Sequence, residues 1–161
     1  MADILCNLLQ YMKDKQWIGA CHAASATLYV ALSEEGYFPD LCAGEVEISS
    51  FVFDHSWIEL DKKIIDLANS MTLMGGFSVS NPIILDTDVV TGNRYNFIYG
   101  TRNGRGLDAE AKIETTMPFC AYMDNFPDEQ NGLWGVVEKV LNRKIDYEKS
   151  REKYKTIKWV L

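Results

Sequence analysis

Residues 19–32 have the sequence GACHAASATLYVAL, an apolar run of mostly small side chains with one cysteine near its start. A helix that is apolar on nearly all sides is typical of a core element, so we expect the rest of the chain to pack around it. Cys21 falls in the first turn, where the helix macrodipole and unpaired backbone N–H groups favour thiolate over thiol. The stretch therefore predicts a central helix whose cysteine is either a nucleophile or a small packing residue.

Residues 53–68, FDHSWIELDKKIIDLA, contain two β-prone runs on either side of a polar pair and predict a β-hairpin. A two-residue turn at Asp61 and Lys62 would pair Leu60 with Lys63 and Ile58 with Ile65. In that register His55 and Asp66 lie diagonally on one face, so the carboxylate can accept a hydrogen bond from one imidazole nitrogen and leave the other for a thiol. A three-residue turn would put Asp66 on the opposite face. Turn chemistry leaves this choice open, because Asp-Lys is a poorer turn than Asp-Gly.

A cysteine at a helix start, followed by a histidine and a carboxylate on adjacent strands, forms the set of nucleophile, base and orienting group. At these residues the sequence resembles the transglutaminase-like superfamily of the papain-like cysteine enzymes. The resemblance is carried by Gly19-x-Cys21, by residues 35–44 (EGYFPDLCAG), by His55-x-Trp57-x-Glu59 and by Ile64-Ile65-Asp66. It covers residues 19–68, about a third of the chain.

The resemblance implies an α+β fold with a papain-like or transglutaminase-like core, formed as one domain over residues 1–161. A central helix bearing Cys21 would pack on an antiparallel sheet bearing His55 and Asp66, and these three residues would be a catalytic triad. The length suits a single domain with a substantial core.

Three further residues are candidates for the site. Papain-like enzymes place an oxyanion-stabilising side chain a few residues ahead of the cysteine, and Gln16 is the candidate here. Trp17 and Trp57 are candidates for the walls of a substrate cleft, and Trp17 is equally a candidate for core packing. Surface exposure is the competing interpretation for Gln16.

Two positions depart from the family pattern. His22 follows the cysteine where relatives often carry a bulky aromatic residue, and Asp40 stands where a basic residue is common. His22 competes with His55 as the base, but neighbouring side chains on a helix point in different directions. We therefore favour His55 as the base and interpret His22 as a partly buried, hydrogen-bonded histidine.

The predicted function is cysteine-dependent acyl transfer, with hydrolysis of a peptide-type amide through a thioacyl intermediate and a peptide or protein as substrate. One alternative is transfer to an amine, as in a transglutaminase or acetyltransferase. Another is a non-catalytic peptide-binding module that keeps the fold, since fold does not fix function. The chain length favours hydrolysis, because the large transglutaminases and arylamine acetyltransferases carry additional domains.

Composition argues against several other classes. The net charge of −7, concentrated before residue 138, argues against nucleic-acid binding. No apolar run is long enough to span a membrane, and the start resembles no signal peptide, so we expect a cytoplasmic protein with free thiols. Four widely spaced cysteines and two histidines predict no metal site. The glycine-rich residues 100–106 lack a P-loop ending, and no cofactor is predicted.

Patterns elsewhere predict the elements that surround this core. Asp3 is a candidate cap for a helix that ends near Met12, and Asp108 for a helix that ends near Thr115. Residues 81–85 and 95–99 are predicted strands, residues 69–77 an adaptable loop near the cleft, and residues 133–141 an amphipathic helix. The apolar end at residues 157–161 is expected to dock as a last strand or helix, or to contact another subunit.

Overall fold

The computed structural model describes residues 1–49, 51–72, 80–102, 106–127 and 129–161. Within them the fold is α+β, with six α-helices and a six-stranded antiparallel sheet. The helices are α1 (Ala2–Asp14), α2 (Cys21–Glu34), α3 (Ala109–Thr116), α4 (Phe119–Asp124), α5 (Gly132–Leu141) and α6 (Tyr147–Tyr154). The strands are β1 (Asp40–Ile48), β2 (Phe51–Leu60), β3 (Lys63–Asp66), β4 (Ile83–Ile84), β5 (Thr87–Asp88) and β6 (Ile98–Thr101), in the spatial order β5-β4-β3-β2-β1-β6.

Helix α2 is the central element that its composition predicts. Ten of its side chains are buried, and it packs on α1, α5, β1 and β2. Alanines at positions 23, 24, 26 and 31 are nearly inaccessible, and their small size lets neighbouring elements approach the helix closely. Because the helix packs on β1 and β2, Cys21 at its first position lies close to the sheet.

The hairpin formed by β2 and β3 has the predicted two-residue turn. Asp61 and Lys62 both have positive φ, 51° and 61°, as a type I′ turn requires. The strand pairs are Ile58 with Ile65, Glu59 with Ile64 and Leu60 with Lys63. Both side chains of the turn are exposed. The register predicted from the two-residue turn is thus confirmed, although neither turn residue is a glycine.

The two faces of the sheet are covered differently. Ile58, Leu60 and Ile65 belong to the main core with the helices, whereas Trp57 and Ile64 belong to a second apolar cluster. Residues 95–99 add three aromatic side chains to that second cluster. This aromatic segment leads into β6 on the far side of β1, and it brings Tyr99 close to the β2–β3 hairpin.

Some predicted boundaries need correction. Asp3 is not the cap of α1: the helix begins one residue earlier, with Met1 at the N-cap, and Asp3 lies in its first turn. Asp108 does cap α3, accepting a hydrogen bond from the Ala111 N–H. Of the predicted strand at residues 95–99, only the last two residues are in β6. Residues 73–77 of the predicted loop and residues 103–105 of the glycine-rich segment lie outside the described ranges.

The end of the chain pairs with the sheet. The Val160 N–H donates to the Leu41 carbonyl at 2.8 Å, and the Ala43 N–H donates to the Val160 carbonyl at 2.9 Å. Trp159, the preceding residue, is buried in the main core. The predicted docking of this segment is therefore confirmed as a parallel bridge beside β1.

Candidate active site

The turn before α2 brings the start of this helix into contact with the segment that follows β3. Gly19 adopts a φ of 72°, which a residue with a side chain rarely tolerates, and its N–H donates to the Met71 carbonyl at 2.8 Å. Ala20 is the N-cap, and it makes no side-chain hydrogen bond to the helix. The first-turn N–H groups beside Cys21 therefore have no partner within the helix or from a cap, and their dipoles favour a negative charge there.

His55 and Asp66 form a buried pair across the hairpin. The distance between His55 Nε2 and Asp66 Oδ2 is 2.8 Å, and each residue is 2% exposed. Because an ionised carboxylate only accepts hydrogen bonds, Nε2 carries a proton and Nδ1 is left to exchange one. The Phe53 ring packs edge-on against the imidazole, with the ring centroids 5.5 Å apart.

One cavity brings the cysteine and this histidine together. Its volume is about 220 Å³, and both Cys21 and His55 line it. The remaining lining residues are Gly19, Phe53, Asp54, Ala68, Met71, Thr72 and Asp108. A substrate group that enters this space would meet the thiol and the imidazole at the same time.

The Asp66 carboxylate is saturated with hydrogen bonds. Its Oδ1 accepts from the N–H groups of Ala68 at 3.0 Å and Asn69 at 3.2 Å, the first two residues of the 3-10 helix Ala68–Met71. Its Oδ2 accepts a second hydrogen bond, from the Tyr99 hydroxyl at 2.8 Å. The Asn69 side-chain amide donates to the same hydroxyl at 2.7 Å. Four donors thus fix the carboxylate that orients His55.

Tyr99 and Asn69 were missed by the sequence analysis. Asn69 lies three residues beyond Asp66, a spacing common to residues around a capped turn, and this was a usable signal. Tyr99 lies 33 residues away from Asp66 and reaches it only because β6 pairs with β1. No local pattern relates these two positions.

The electrostatics of the site favour a thiolate. Burial disfavours the charged form of Cys21, but the charge of His55 and the hydrogen bond with His22 outweigh it and lower the pKa of the thiol to about 6. Burial also opposes protonation of His55, whereas Asp66 and Cys21 favour it and raise its pKa to about 10. Cys42 shows the opposite result: burial and the nearby Glu59 raise its pKa to about 12.

His22 lies against Cys21, contrary to the expectation that neighbouring helix side chains diverge. Its Nδ1 is 3.3 Å from Cys21 Sγ and also 3.3 Å from Glu114 Oε2. The ring packs against Trp159, with the ring centroids 5.3 Å apart. Nδ1 is the imidazole nitrogen closer to the backbone. Glu114 on α3 and Trp159 in the C-terminal segment hold the ring over the first turn of α2. As expected, His22 is buried and hydrogen-bonded.

The other sequence candidates lie elsewhere. Gln16 is exposed and takes part in a turn, where its N–H donates to the Lys13 carbonyl, and it is not among the residues that line the Cys21 cavity. Trp17 is a core residue, with ring centroids 5.0 Å from Tyr11 and 5.2 Å from Phe126. These positions agree with the competing interpretations, surface exposure for Gln16 and core packing for Trp17.

Trp57 lines a different cavity from the one that contains the cysteine. This larger space, of about 640 Å³, lies beside β1 and β6 and is also lined by Tyr99, Arg102, Val160 and Leu161. The Trp57 indole N–H donates to Glu59 at 3.2 Å, and its ring packs on Tyr99. Trp57 therefore packs against the ring of Tyr99, whose hydroxyl donates to Asp66. It does not line the cavity that contains Cys21.

Among the described residues, no group of three or more histidine, cysteine, aspartate or glutamate side chains is arranged to hold a metal ion. The described helices include none that is both long enough and apolar enough to cross a membrane. No protein-family model, curated protein or solved structure matches this chain. The site must therefore be interpreted from its own geometry.

Proposed function

We propose that this protein is a small transglutaminase-like cysteine enzyme with a papain-like core, and that it hydrolyses a peptide-type amide through a thioacyl intermediate. The observation that carries the proposal is the buried His55–Asp66 pair, bonded at 2.8 Å, facing the same cavity as a cysteine whose thiol is at the start of a core helix. Acyl-transfer sites commonly combine a nucleophile with a nearby pair of buried ionisable groups.

The chemistry divides among the three residues. The Cys21 thiolate attacks the amide carbonyl and forms a C–S bond, while the carbonyl electron pair moves to oxygen. The first-turn N–H groups of α2 stabilise that oxyanion. When the oxyanion collapses, the C–N bond breaks and the leaving amine takes a proton from His55. Asp66 keeps the proton of the other imidazole nitrogen in place throughout.

Water completes the hydrolysis. It gives a proton to His55 as its oxygen adds to the thioester, and breaking the C–S bond returns the electron pair to Cys21 as thiolate. The substrate would be a peptide or protein segment that is narrow enough to reach a cavity of about 220 Å³. Free thiols at all four cysteines fit a reducing compartment, and we include a cytoplasmic location in the proposal.

A second candidate is transfer of the acyl group to an amine. Asp54 and Asp108 line the cavity with Cys21, and no lysine or arginine lines it within the described part of the chain. The two carboxylates attract positive charge, so they favour a cationic acceptor over a neutral one. Asp54 also accepts a hydrogen bond from the Asp108 backbone at 2.7 Å, which holds both residues at the cavity.

The test uses p-nitrophenyl acetate, an activated ester that any competent thiol nucleophile attacks. We expect a burst of nitrophenolate equal to the enzyme concentration and an acetyl group on Cys21 by peptide mass spectrometry. The burst should be absent in Cys21→Ser and in His55→Ala, and it should persist in Cys6→Ser, whose thiol is exposed and remote. Acetylation spread over several cysteines, independent of His55, would favour the non-catalytic binding module.

The two acceptors are separated by adding cadaverine during turnover. Release of free acetate at an unchanged rate indicates hydrolysis. Formation of N-acetylcadaverine at the expense of acetate indicates transfer, and Asp54→Asn should then lower the share of the amine product.

A further inference from the structure

Cys21 contacts a second imidazole that the proposed mechanism does not use. His22 Nδ1 lies 3.3 Å from the sulfur, and Glu114 Oε2 lies 3.3 Å from the same nitrogen. Glu114 belongs to α3, whose capping residue Asp108 donates its backbone N–H to Asp54, one residue before His55. The helix that carries Glu114 is thus tied to the strand that carries the proposed base.

The geometry of His22 fixes which nitrogen carries the proton. Nδ1 faces a carboxylate and a sulfur, and an ionised carboxylate can only accept, so Nδ1 must be the donor. Nε2 is buried and finds no hydrogen-bond partner in the described part of the chain. His55 is arranged differently, with its carboxylate on Nε2 and its other nitrogen left for proton exchange. The single Nδ1–H of His22 is therefore shared between Glu114 and the sulfur, and Nδ1 does not take the proton of the thiol.

We propose that His22 and Glu114 form a second imidazole–carboxylate pair, whose Nδ1–H holds the Cys21 sulfur as a thiolate while His55 alone exchanges protons with the substrate. This inference rests on the proposed function. His22 and Glu114 are not among the residues that line the Cys21 cavity, so both are positioning residues that act through the sulfur. The fixed donor keeps its hydrogen bond to the sulfur whether or not His55 is protonated.

The donor matters most when the thioester breaks. As the acceptor adds and the C–S bond cleaves, the electron pair returns to sulfur, and the Nδ1–H of His22 is already in position to receive that charge. The proton released by the acceptor goes to His55, so His22 gains and loses no proton in the cycle. Stabilising the sulfur anion makes it a better leaving group and speeds this step.

Several other titratable groups surround the Cys21 thiol. His55 with Asp66 acts from the sheet, and Asp54 and Asp108 line the cavity. The Tyr122 hydroxyl lies on α4, and burial together with Glu114 and Cys21 raises its pKa well above the usual range, so it stays neutral. Removing the His22 donor thus leaves His55 as the only cationic partner of the sulfur among these groups.

The experiment measures the rate of Cys21 alkylation by iodoacetamide from about pH 4.5 to 9.5, in full-length protein with Cys6→Ser as background. His22→Ala should raise the pKa of alkylation by about one unit, which slows labelling about fivefold at pH 6 and about tenfold at pH 4.5 to 5. The rates should converge above pH 9, where the thiol ionises without help. His22→Asn, which keeps an N–H near the Nδ1 position, should recover part of the loss.

Glu114→Gln is the second variant, and it is not expected to disturb folding because the side chain is only partly buried. Since the Glu114 side chain is 40% exposed, solvent screening limits the expected effect to about two- to threefold at pH 6. Glu110→Gln is the matched control, because Glu110 is exposed on the same helix and its substitution removes the same charge. It should leave the profile unchanged.

The outcomes separate the two proposals. A His55-dependent, acid-shifted profile that His22→Ala and Glu114→Gln leave unchanged would overturn the second pair and keep the triad. A rate lowered equally at all pH values in His22→Ala would also overturn it, since that indicates altered access. An ordinary thiol profile in the background protein, insensitive to His55→Ala, would overturn the proposed function and this inference with it.

Discussion

The Nε2 atom of His55 donates to Oδ2 of Asp66 at 2.8 Å, although the two residues lie on different strands and are eleven positions apart. Their contact depends on the register of the β2–β3 hairpin, which the positive φ angles of Asp61 and Lys62 set. A shift of one residue would turn Asp66 to the opposite face of the sheet. The proposed base and its orienting group are therefore joined by the geometry of a turn.

The pH dependence of Cys21 labelling follows from its lowered pKa. With a pKa of about 6, half of the thiol is ionised at that pH, and the rate should fall about tenfold per unit below it and level off above pH 7. Because His55 supplies the largest favourable contribution, His55→Gln should slow labelling at pH 6 by about 100-fold. The measurement is peptide mapping after brief iodoacetamide treatment.

Cys42 serves as the internal control in the same digest. Burial and the nearby carboxylates of Glu59 and Asp40 hold the pKa of this thiol at about 12, so it should remain unlabelled throughout. Equal labelling of Cys21 and Cys42 at pH 6 would contradict the electrostatic description of the site.

Asp66→Asn should separate the charge of this residue from its structural role. The amide oxygen can still accept from Ala68 and Asn69, but the variant loses the negative charge that holds the His55 tautomer. We expect the burst rate with p-nitrophenyl acetate to fall by about 10²–10⁴-fold, with a smaller loss of stability than in Asp66→Ala. Asp66→Ala also removes the acceptor of the Ala68 and Asn69 N–H groups and should cost about 3–5 kcal/mol in the free energy of unfolding. Denaturant titration of both variants tests the difference, and equal destabilisation would refute it.

Tyr99→Phe should lower the burst rate without abolishing it. The change removes one donor to Asp66 and leaves the Asn69 amide without its acceptor, at a cost of about 1–3 kcal/mol. We expect a burst rate that is several-fold lower, measured together with the urea midpoint. Tyr95→Phe is the control, because its ring packs on Tyr99 at 5.4 Å in the same aromatic cluster. A loss of burst rate in Tyr95→Phe as large as in Tyr99→Phe would mean that the effect does not come from the hydrogen bond between Tyr99 and Asp66.

Gly19→Ala should disturb the position of Cys21. A side chain at a φ of 72° is strained by about 1–2 kcal/mol, and relief of that strain would move the start of α2 away from Met71. We expect lower stability together with slower Cys21 labelling. Gly36→Ala, at the other end of the same helix, has a φ of 82° and open space around it. It should lower stability by a similar amount and leave labelling unchanged, and equal labelling in the two variants would argue against a positioning role for Gly19.

Lys62→Gly should stabilise the protein. Lys62 adopts a φ of 61° in the type I′ turn, a conformation that glycine accepts freely, and its side chain is exposed. We expect a gain of about 0.5–1 kcal/mol in the free energy of unfolding, with unchanged Cys21 labelling. Lys63→Gly, one residue later in β3, should instead destabilise the strand. A loss of stability in Lys62→Gly would mean that the turn has another conformation in solution.

The elements with strong local signals could be predicted from the sequence. The apolar composition of residues 19–32 indicates a buried helix, and the alternating runs around Asp61 and Lys62 indicate the hairpin. The contact between His55 and Asp66 follows from that register, because a period of two fixes which side chains share a face. The catalytic roles of these residues stay predictions that the labelling and burst experiments test.

Other parts of the site depended on packing between distant segments. The sequence offers both an oxyanion role and a surface position for Gln16, and the structure places it in a turn at positive φ, where it is exposed. His22 was expected to point away from its neighbour, yet Glu114 and Trp159, from segments about 90 and 140 residues later, hold its ring against the thiol. Side-chain direction on a helix is a preference that such contacts can override.

The sequence alone thus determined the central helix and the hairpin, because hydrophobic periodicity is a local property of the chain. It left two turn lengths open, and the structure selected the register that joins His55 to Asp66. Only the tertiary structure decided that Tyr99 and Asn69 complete the Asp66 network, that His22 and Glu114 meet at the sulfur, and that Trp57 faces a separate cavity. Those contacts join segments far apart in sequence, and the energy that selects them comes from packing the whole core, which no short window of residues records.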